Sequence, residues 1–329
     1  MSSYSNSSLN CFTSCMKKYQ LRYIDGMVPE VLSPHLVFGD MGHKVLYDAG
    51  CIRDEKADYT NEDILSCIPG PFDYPELQQE FKIYNWTDYF QYVLKDCWTY
   101  EDSCINMLMS DYPNSEIQMH RELKLNCEKY LTKDDILVGV IDLLLIIPDT
   151  AAIILDYKFS TSRKTQADFD ENSQLVLYAY LVHENYNIPI SNIRVGYIDI
   201  PKTAFDKPMI LKNGTLSRSK SQNVSQDIYK DWVTKVHNND RYYNCNPGGY
   251  YYDIYCELAN KKAAYLNVQY IDASVYDHVF SDVLGTIRLI NGIKDNDLPF
   301  VRKYDSYSCK NCEYKDECKK WLSRIDEEL

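Results

Sequence analysis

At 329 residues, 45% hydrophobic and 25% charged, with 12 Gly and 12 Pro, the chain can bury a core of its own and is neither fibrous nor disordered. No run approaches the ~18 uninterrupted apolar residues of a membrane span. The Ser- and Asn-rich stretch from Met1 to Leu9 has neither the basic nor the apolar part of a secretory signal, so a cytoplasmic protein is expected. A net charge of -13 speaks against a body-wide surface for binding nucleic acid. It leaves room for local basic tracks at Lys17, Lys18 and Arg22, at Arg163 and Lys164, and from Lys202 to Lys220, each of which reads equally as a solvated face.

In chain order, residues 7–25 are predicted as helix, with Ser7 or Ser8 as cap and Leu9, Phe12, Met16 and Tyr19 on one face. A second helix is expected over residues 36–48. The aromatic, acidic stretch up to Asp111 has helical spacing in 77–84 and 86–94 and reads as a helical insertion. β-favouring runs at 119–125, 136–147 and 152–159 predict three successive antiparallel strands, the last two joined as a hairpin by Pro148, Asp149 and Thr150. Then follow a helix at about 168–185, a strand at 193–200, a polar loop over 202–225, a helix at 226–238, a tyrosine-rich segment, a strand near 263–271 and a long helix at 273–293. The class is α/β with a central mixed sheet. Four parts are expected: N-terminal helices (1–48), a helical insertion (49–115), a core (116–300) and a cysteine-bearing C-terminal segment (301–329).

The most informative stretch is Gly139-Val140-Ile141-Asp142 followed by Ile153-Ile154-Leu155-Asp156-Tyr157-Lys158. Alternate residues of a strand share a face, so Asp156 and Lys158 point the same way. A hairpin turning at Asp149 sets Asp142 opposite Asp156. Two opposed carboxylates repel, and a divalent cation between them removes that cost. Hydrolysis of a phosphodiester needs such an ion, Mg2+ or Mn2+, to stabilise developing charge and activate water. Lys158 is placed to orient or deprotonate that water. D-x-K alone is a weak motif, and an ordinary strand face would carry it.

Further along, Gln174 and Tyr178 lie four apart and share a helix face, and His43 lies upstream in Phe38-Gly39-Asp40-Met41-Gly42-His43. G-x-x-D, D-x-K and Q-x-x-x-Y in this order, after Gly-x-x-Gly-His on a helix, resemble the RecB-type nuclease domain of the PD-(D/E)XK superfamily. The resemblance implies a restriction-endonuclease-like core and a metal-dependent deoxyribonuclease. It implies His43, Asp142, Asp156 and the Tyr157 carbonyl as metal ligands, Lys158 as catalytic, and Gln174 and Tyr178 as supports that touch DNA. Glu122 sits on the strand before the hairpin, where relatives carry an acidic residue; no direct role is assigned to it.

Of 12 cysteines, Cys51, Cys67, Cys97, Cys104, Cys127, Cys245 and Cys256 are scattered and read as small buried hydrophobes. Cys309, Cys312 and Cys318 form C-x2-C-x5-C and need a fourth ligand for a closed site, with zinc or iron-sulfur as cargo. The segment from Ser8 to Tyr19 is similar to the opening of the iron-sulfur subgroup of RecB-type nucleases, which includes the AddB subunit and the CRISPR-associated adaptation nuclease. That resemblance implies a [4Fe-4S] cluster on Cys15, Cys309, Cys312 and Cys318, with Cys11 the alternative to Cys15; Met16 stands where relatives carry Pro. The expectation is an exonuclease on single-stranded or end-processed DNA in recombination, repair or phage or CRISPR DNA processing. A structure-specific endonuclease and an inactive DNA-binding module are the alternatives. No G-x-x-x-x-G-K-[ST] motor sequence occurs, so a helicase or other recombination or CRISPR protein is an expected partner.

Overall fold

The computed structural model describes residues 2–29, 32–56, 58–70, 73–81, 83, 86–129, 131, 135–160, 165, 169, 173–202, 207–220, 222, 224, 226–258, 262–271 and 273–328. The expected basic pair Arg163 and Lys164 and the expected helix start at Asp168 lie outside them. Among the described residues a six-stranded mixed sheet runs in the order β1-β3-β4-β5-β6, with β2 also on β3. The strands are β1 (Ser2–Tyr4), β2 (Gln118–Cys127), β3 (Asp135–Ile147), β4 (Ala151–Ser160), β5 (Ile193–Pro201) and β6 (Tyr265–Tyr270). β1 is parallel to β3 and β4 to β5; the other pairs are antiparallel.

Helices cover both faces. On one lie α3 (Pro34–Glu55), α4 (Asn61–Leu65), α5 (Pro75–Phe81), α6 (Trp86–Asp111), α8 (Gln226–His237) and α9 (Tyr252–Glu257), burying a core around Phe38, Trp86, Phe90 and Leu145. On the other lie α1 (Asn6–Ser14), α7 (Ser173–Tyr186) and α10 (Ala273–Asp295), around Phe12, Ile146, Leu181 and Ile290. The chain ends in α11 (Ser306–Lys310) and α12 (Lys315–Glu328). Helices α4, α5 and α6 occupy much of residues 49–115, and the last turns of α3 run past residue 48, so the expected boundary there falls inside a helix.

The predicted N-terminal helix is broken. α1 is capped by Ser5, whose hydroxyl accepts from the Ser8 N–H while the Ser8 hydroxyl accepts from the Ser5 N–H, so Ser8 closes the box and is not itself the cap. Cys15 is extended (φ -162°, ψ 111°), α2 (Met16–Tyr19) restarts after it, and a π-helical turn follows over Gln20–Ile24. Of the scattered cysteines, Cys97, Cys104 and Cys245 are buried as expected, Cys51, Cys67 and Cys127 are half-buried, and Cys256 is exposed.

One feature of β3 positions everything else. β2 runs along one edge from Leu137 to Ile146. The other edge is shared by two strands, β1 pairing at residues 135–137 and β4 at residues 143–147. On that second edge no described strand pairs with residues 138–142, and this notch ends at Asp142. At the same point the strand turns over: Leu143, Leu145 and Ile147 enter the first core, whereas Leu137 and Ile141 enter the second.

Candidate active site at the notch in the sheet

The β3–β4 pairing starts at Ile147↔Ala151 and stops at Leu143↔Leu155. One further step sets Asp142 against Asp156, as the turn at Asp149 predicts, but there the backbones part. Asp142 Oδ2 accepts the Tyr157 N–H at 2.7 Å instead, a charge-assisted bond in place of a ladder bond. Asp156 and Lys158 share the face toward α7, where Lys158 Nζ lies 2.6 Å from Asp156 Oδ2. Gln174 couples the two, donating to Asp156 Oδ1 (3.0 Å) and accepting from Lys158 (2.9 Å), and its amide also donates to the Tyr178 hydroxyl at 2.8 Å. Gly139 lets the helix come this close: a Cβ there would stand 2.7 Å from Leu181 Cδ1 and 3.0 Å from the Tyr178 ring.

From the other face α3 brings His43, with Nδ1 3.5 Å from Asp142 Oδ1. The preceding Gly42 packs on Phe159 so tightly that a Cβ would fall 2.3 Å from the ring, which explains the glycine before the histidine. Tyr157 turns its side chain away, and its hydroxyl donates to Glu101 Oε1 at 2.6 Å. Glu101 in turn binds Arg121 (2.6 Å), which also grips Asp54 (2.6 Å). This anchor of the site joins α6 to β2 and β4, and no local sequence signal marks it, because its members lie far apart in the chain.

The residues singled out in the hairpin, on α3 and on α7 therefore converge, and Glu122 joins them, its Oε1 4.0 Å from His43 Nδ1. Within the basic stretch from Lys202 to Lys220, Lys202 is buried and donates to the His35 carbonyl, Arg218 pairs with Asp253 and Lys220 with Glu257.

Electrostatics fit a cation. Asp156 is 1% exposed; burial pushes its carboxyl up to about 6, Lys158 pulls the other way and the Asp142 charge adds to the rise. Its buried Oδ2 accepts no properly directed hydrogen bond even with Lys158 beside it. Burial and the Asp142 charge raise Glu122. For His43 burial works against the cation, but the Asp142 hydrogen bond and the charges of Asp142, Asp156 and Glu122 win and raise it. The donor set, imidazole nitrogen with carboxylate oxygens, suits Mg2+ or Mn2+. His43, Asp156 and Glu122 all hold protons more tightly than usual and must release them to ligate. Mn2+ affinity measured by calorimetry is therefore expected to rise from about pH 6 to about pH 8 with proton uptake by the buffer; an affinity flat across that interval would contradict the assignment.

An acidic pair and a lysine at a break in a mixed α/β sheet, backed by an imidazole, form the arrangement of a metal-dependent phosphodiesterase. The chain belongs to the PD-(D/E)XK nuclease superfamily, whose family model matches residues 3–319. No curated protein sequence matches it. Among solved structures, a candidate exonuclease from Eubacterium rectale is similar over 94% of this chain and 87% of that one, at 9% identity and a TM-score of 0.42. Among the described residues, no helix is long and apolar enough to cross a membrane.

Proposed function

We propose that this nuclease is a DNA exonuclease that degrades single-stranded or end-processed DNA, with Asp142, Asp156 and Lys158 as its catalytic residues. The observation that carries the reading is the convergence of these side chains, bridged by Gln174 and faced by His43, at the open notch of β3. Asp142, Asp156, His43 and the Tyr157 carbonyl would hold Mg2+ or Mn2+, which supplies Lewis acidity at the scissile phosphate and lowers the pKa of water. Lys158, held by Gln174, orients the attacking water and offsets charge on the phosphate oxygens. Gln174 fixes that lysine, and Tyr178 fixes Gln174.

A single strand also has a fitting approach. A groove of about 1020 Å³, lined in part by Arg22, Tyr23, Val28, Leu32, His35 and Tyr307, opens at the N-terminal end of α3, the helix that bears His43. Exposed tyrosine rings beside a guanidinium suit stacked bases and a phosphate backbone. A helicase or other recombination or CRISPR protein is the partner that would open duplexes for it. Incubation with Mn2+ or Mg2+ and end-labelled linear or circular single strands, with a chelator control, tests the reading. Linear strands are expected to shorten and circles to persist; cleaved circles would make it an endonuclease of the same fold.

The two ends of the chain meet at a cysteine clasp. Cys15, Cys309, Cys312 and Cys318 line one cavity of about 350 Å³ together with Lys17, Lys18, Arg302 and Lys310. Cys11 is buried in the second core instead. Four thiolates suit either zinc or an iron-sulfur cluster. The basic lining by Lys17, Lys18, Arg302 and Lys310 favours an anionic [4Fe-4S] cluster. The purified protein is expected to be brown with stoichiometric iron, and Cys312→Ala to lose both colour and thermal stability. Zinc without iron in protein prepared free of oxygen would overturn this assignment.

A further inference from the structure

An open sheet leaves outer strands whose unpaired N–H and C=O groups invite another strand, and charges, prolines, bulges or a very short strand normally guard against it. Among the described residues the sheet ends at β2 on one side and at β6 on the other, while β1, three residues long, fills only part of an edge of β3. β2 is guarded. It carries His120, Arg121, Glu122 and Lys124, and Glu122 interrupts its extended line with a left-handed backbone, φ 47°.

β6 has none of these devices. Tyr265-Leu266-Asn267-Val268-Gln269-Tyr270 contains no charge and no proline, and it lies in an uncharged run over residues 263–271. Its pairing with β5 is continuous from Arg194↔Tyr270 to Asp199↔Tyr265, so no bulge bends it away. None of its six residues is buried and Tyr270 is 51% exposed, whereas β4 and β5 are buried almost throughout. Among the described residues no strand pairs with its outer edge. In a chain one-quarter charged and with a net charge of -13, this edge lets two copies meet without setting like charge against like.

The side chains of β6 are also complementary to themselves. Leu266 and Val268 pack toward the first core, and strand alternation puts Tyr270 on their face and Asn267 and Gln269 on the other. Antiparallel pairing of two copies about a twofold axis normal to the sheet keeps each face continuous, so a residue can oppose only residues of its own face. With the axis at Val268, Val268 opposes its own counterpart, Leu266 opposes Tyr270, and Asn267 opposes Gln269. One face then carries aliphatic and aromatic pairs and the other carries amide pairs, all favourable across strands.

We propose that β6 is a dimerisation edge: a second copy of this chain adds its own β6 antiparallel, with the twofold axis at Val268, and one sheet runs through both copies. The pairing does not depend on the nuclease reading, and a protein that cuts no DNA would form it all the same. Sedimentation equilibrium of the whole purified chain in reducing buffer tests it. Wild type is expected at twice the chain mass of 38.5 kDa. Asn267→Lys combined with Gln269→Lys sets lysine against lysine in this register and is expected to give a monomer. Asn267→Lys combined with Gln269→Glu sets lysine against glutamate and is expected to stay a dimer. Circular dichroism checks that both variants fold. If the two lysines prevent folding, the wild-type mass and the lysine–glutamate variant still decide. A monomeric wild type, a dimer that persists with the two lysines, or dissociation of a folded lysine–glutamate variant overturns the proposal.

Discussion

Asp156→Asn is expected to lower Mn2+-dependent DNA cleavage by about a thousandfold or more, in a protein that melts no lower than the wild type. The two halves of this expectation have one cause. Burial raises the Asp156 carboxyl from an ordinary 3.8 to about 6, so its ionised form costs stability at neutral pH. The cost fades as pH falls through that interval. An isosteric amide keeps the bond from Gln174, removes the buried charge, and withdraws a ligand that the cation needs. Melting with and without Mn2+ separates the effects: wild type should gain stability from the ion by mass action, and the variant should gain less. Cleavage that survives in a folded Asp156→Asn protein would remove the basis for placing catalysis at the notch.

Arg121→Met should produce the largest loss of stability, about 3–5 kcal/mol by urea unfolding. The guanidinium and Glu101 are 4% and 1% exposed, and the substitution leaves a buried carboxylate with the Tyr157 hydroxyl and a longer contact to Arg53 at 3.3 Å. Removing both charges, as Arg121→Met with Glu101→Leu, is expected to recover part of the loss, because the unpaired charge and not the missing bridge dominates the cost. Activity should fall with the single change, since Glu101 holds the ring of Tyr157, whose backbone N–H fixes Asp142. A cost below about 1 kcal/mol would reduce the network to an ordinary surface pairing.

What could be read without coordinates was what obeys short periods. Strand alternation gave Asp156 and Lys158 one face, the turn at Asp149 gave the register, and helical spacing put Gln174 beside Tyr178. The rest depends on contacts that have no local signal. β1 is three residues long and is held by pairing with β3. The break at Cys15 is invisible because Met16 is a good helix former and the departure comes from the extended backbone of the cysteine itself. Glu101 looks like any acid on an aromatic helix until Arg121 meets it. Glu122 carries no glycine or asparagine signature for its left-handed backbone, and strict alternation would have placed Ile141 and Leu143 on one face when the strand turns over between them.

The gap along β3 works as a window through the sheet: beside it His43 of α3 on one side and Gln174 of α7 on the other reach the two carboxylates of the hairpin. Its frame is set by a serine. Ser5 spends its N–H on Ser8 and starts α1, so β1 cannot zip onward along β3 toward Asp142. Were the cap replaced by a β-branched apolar residue, the sheet could knit itself closed up to Asp142.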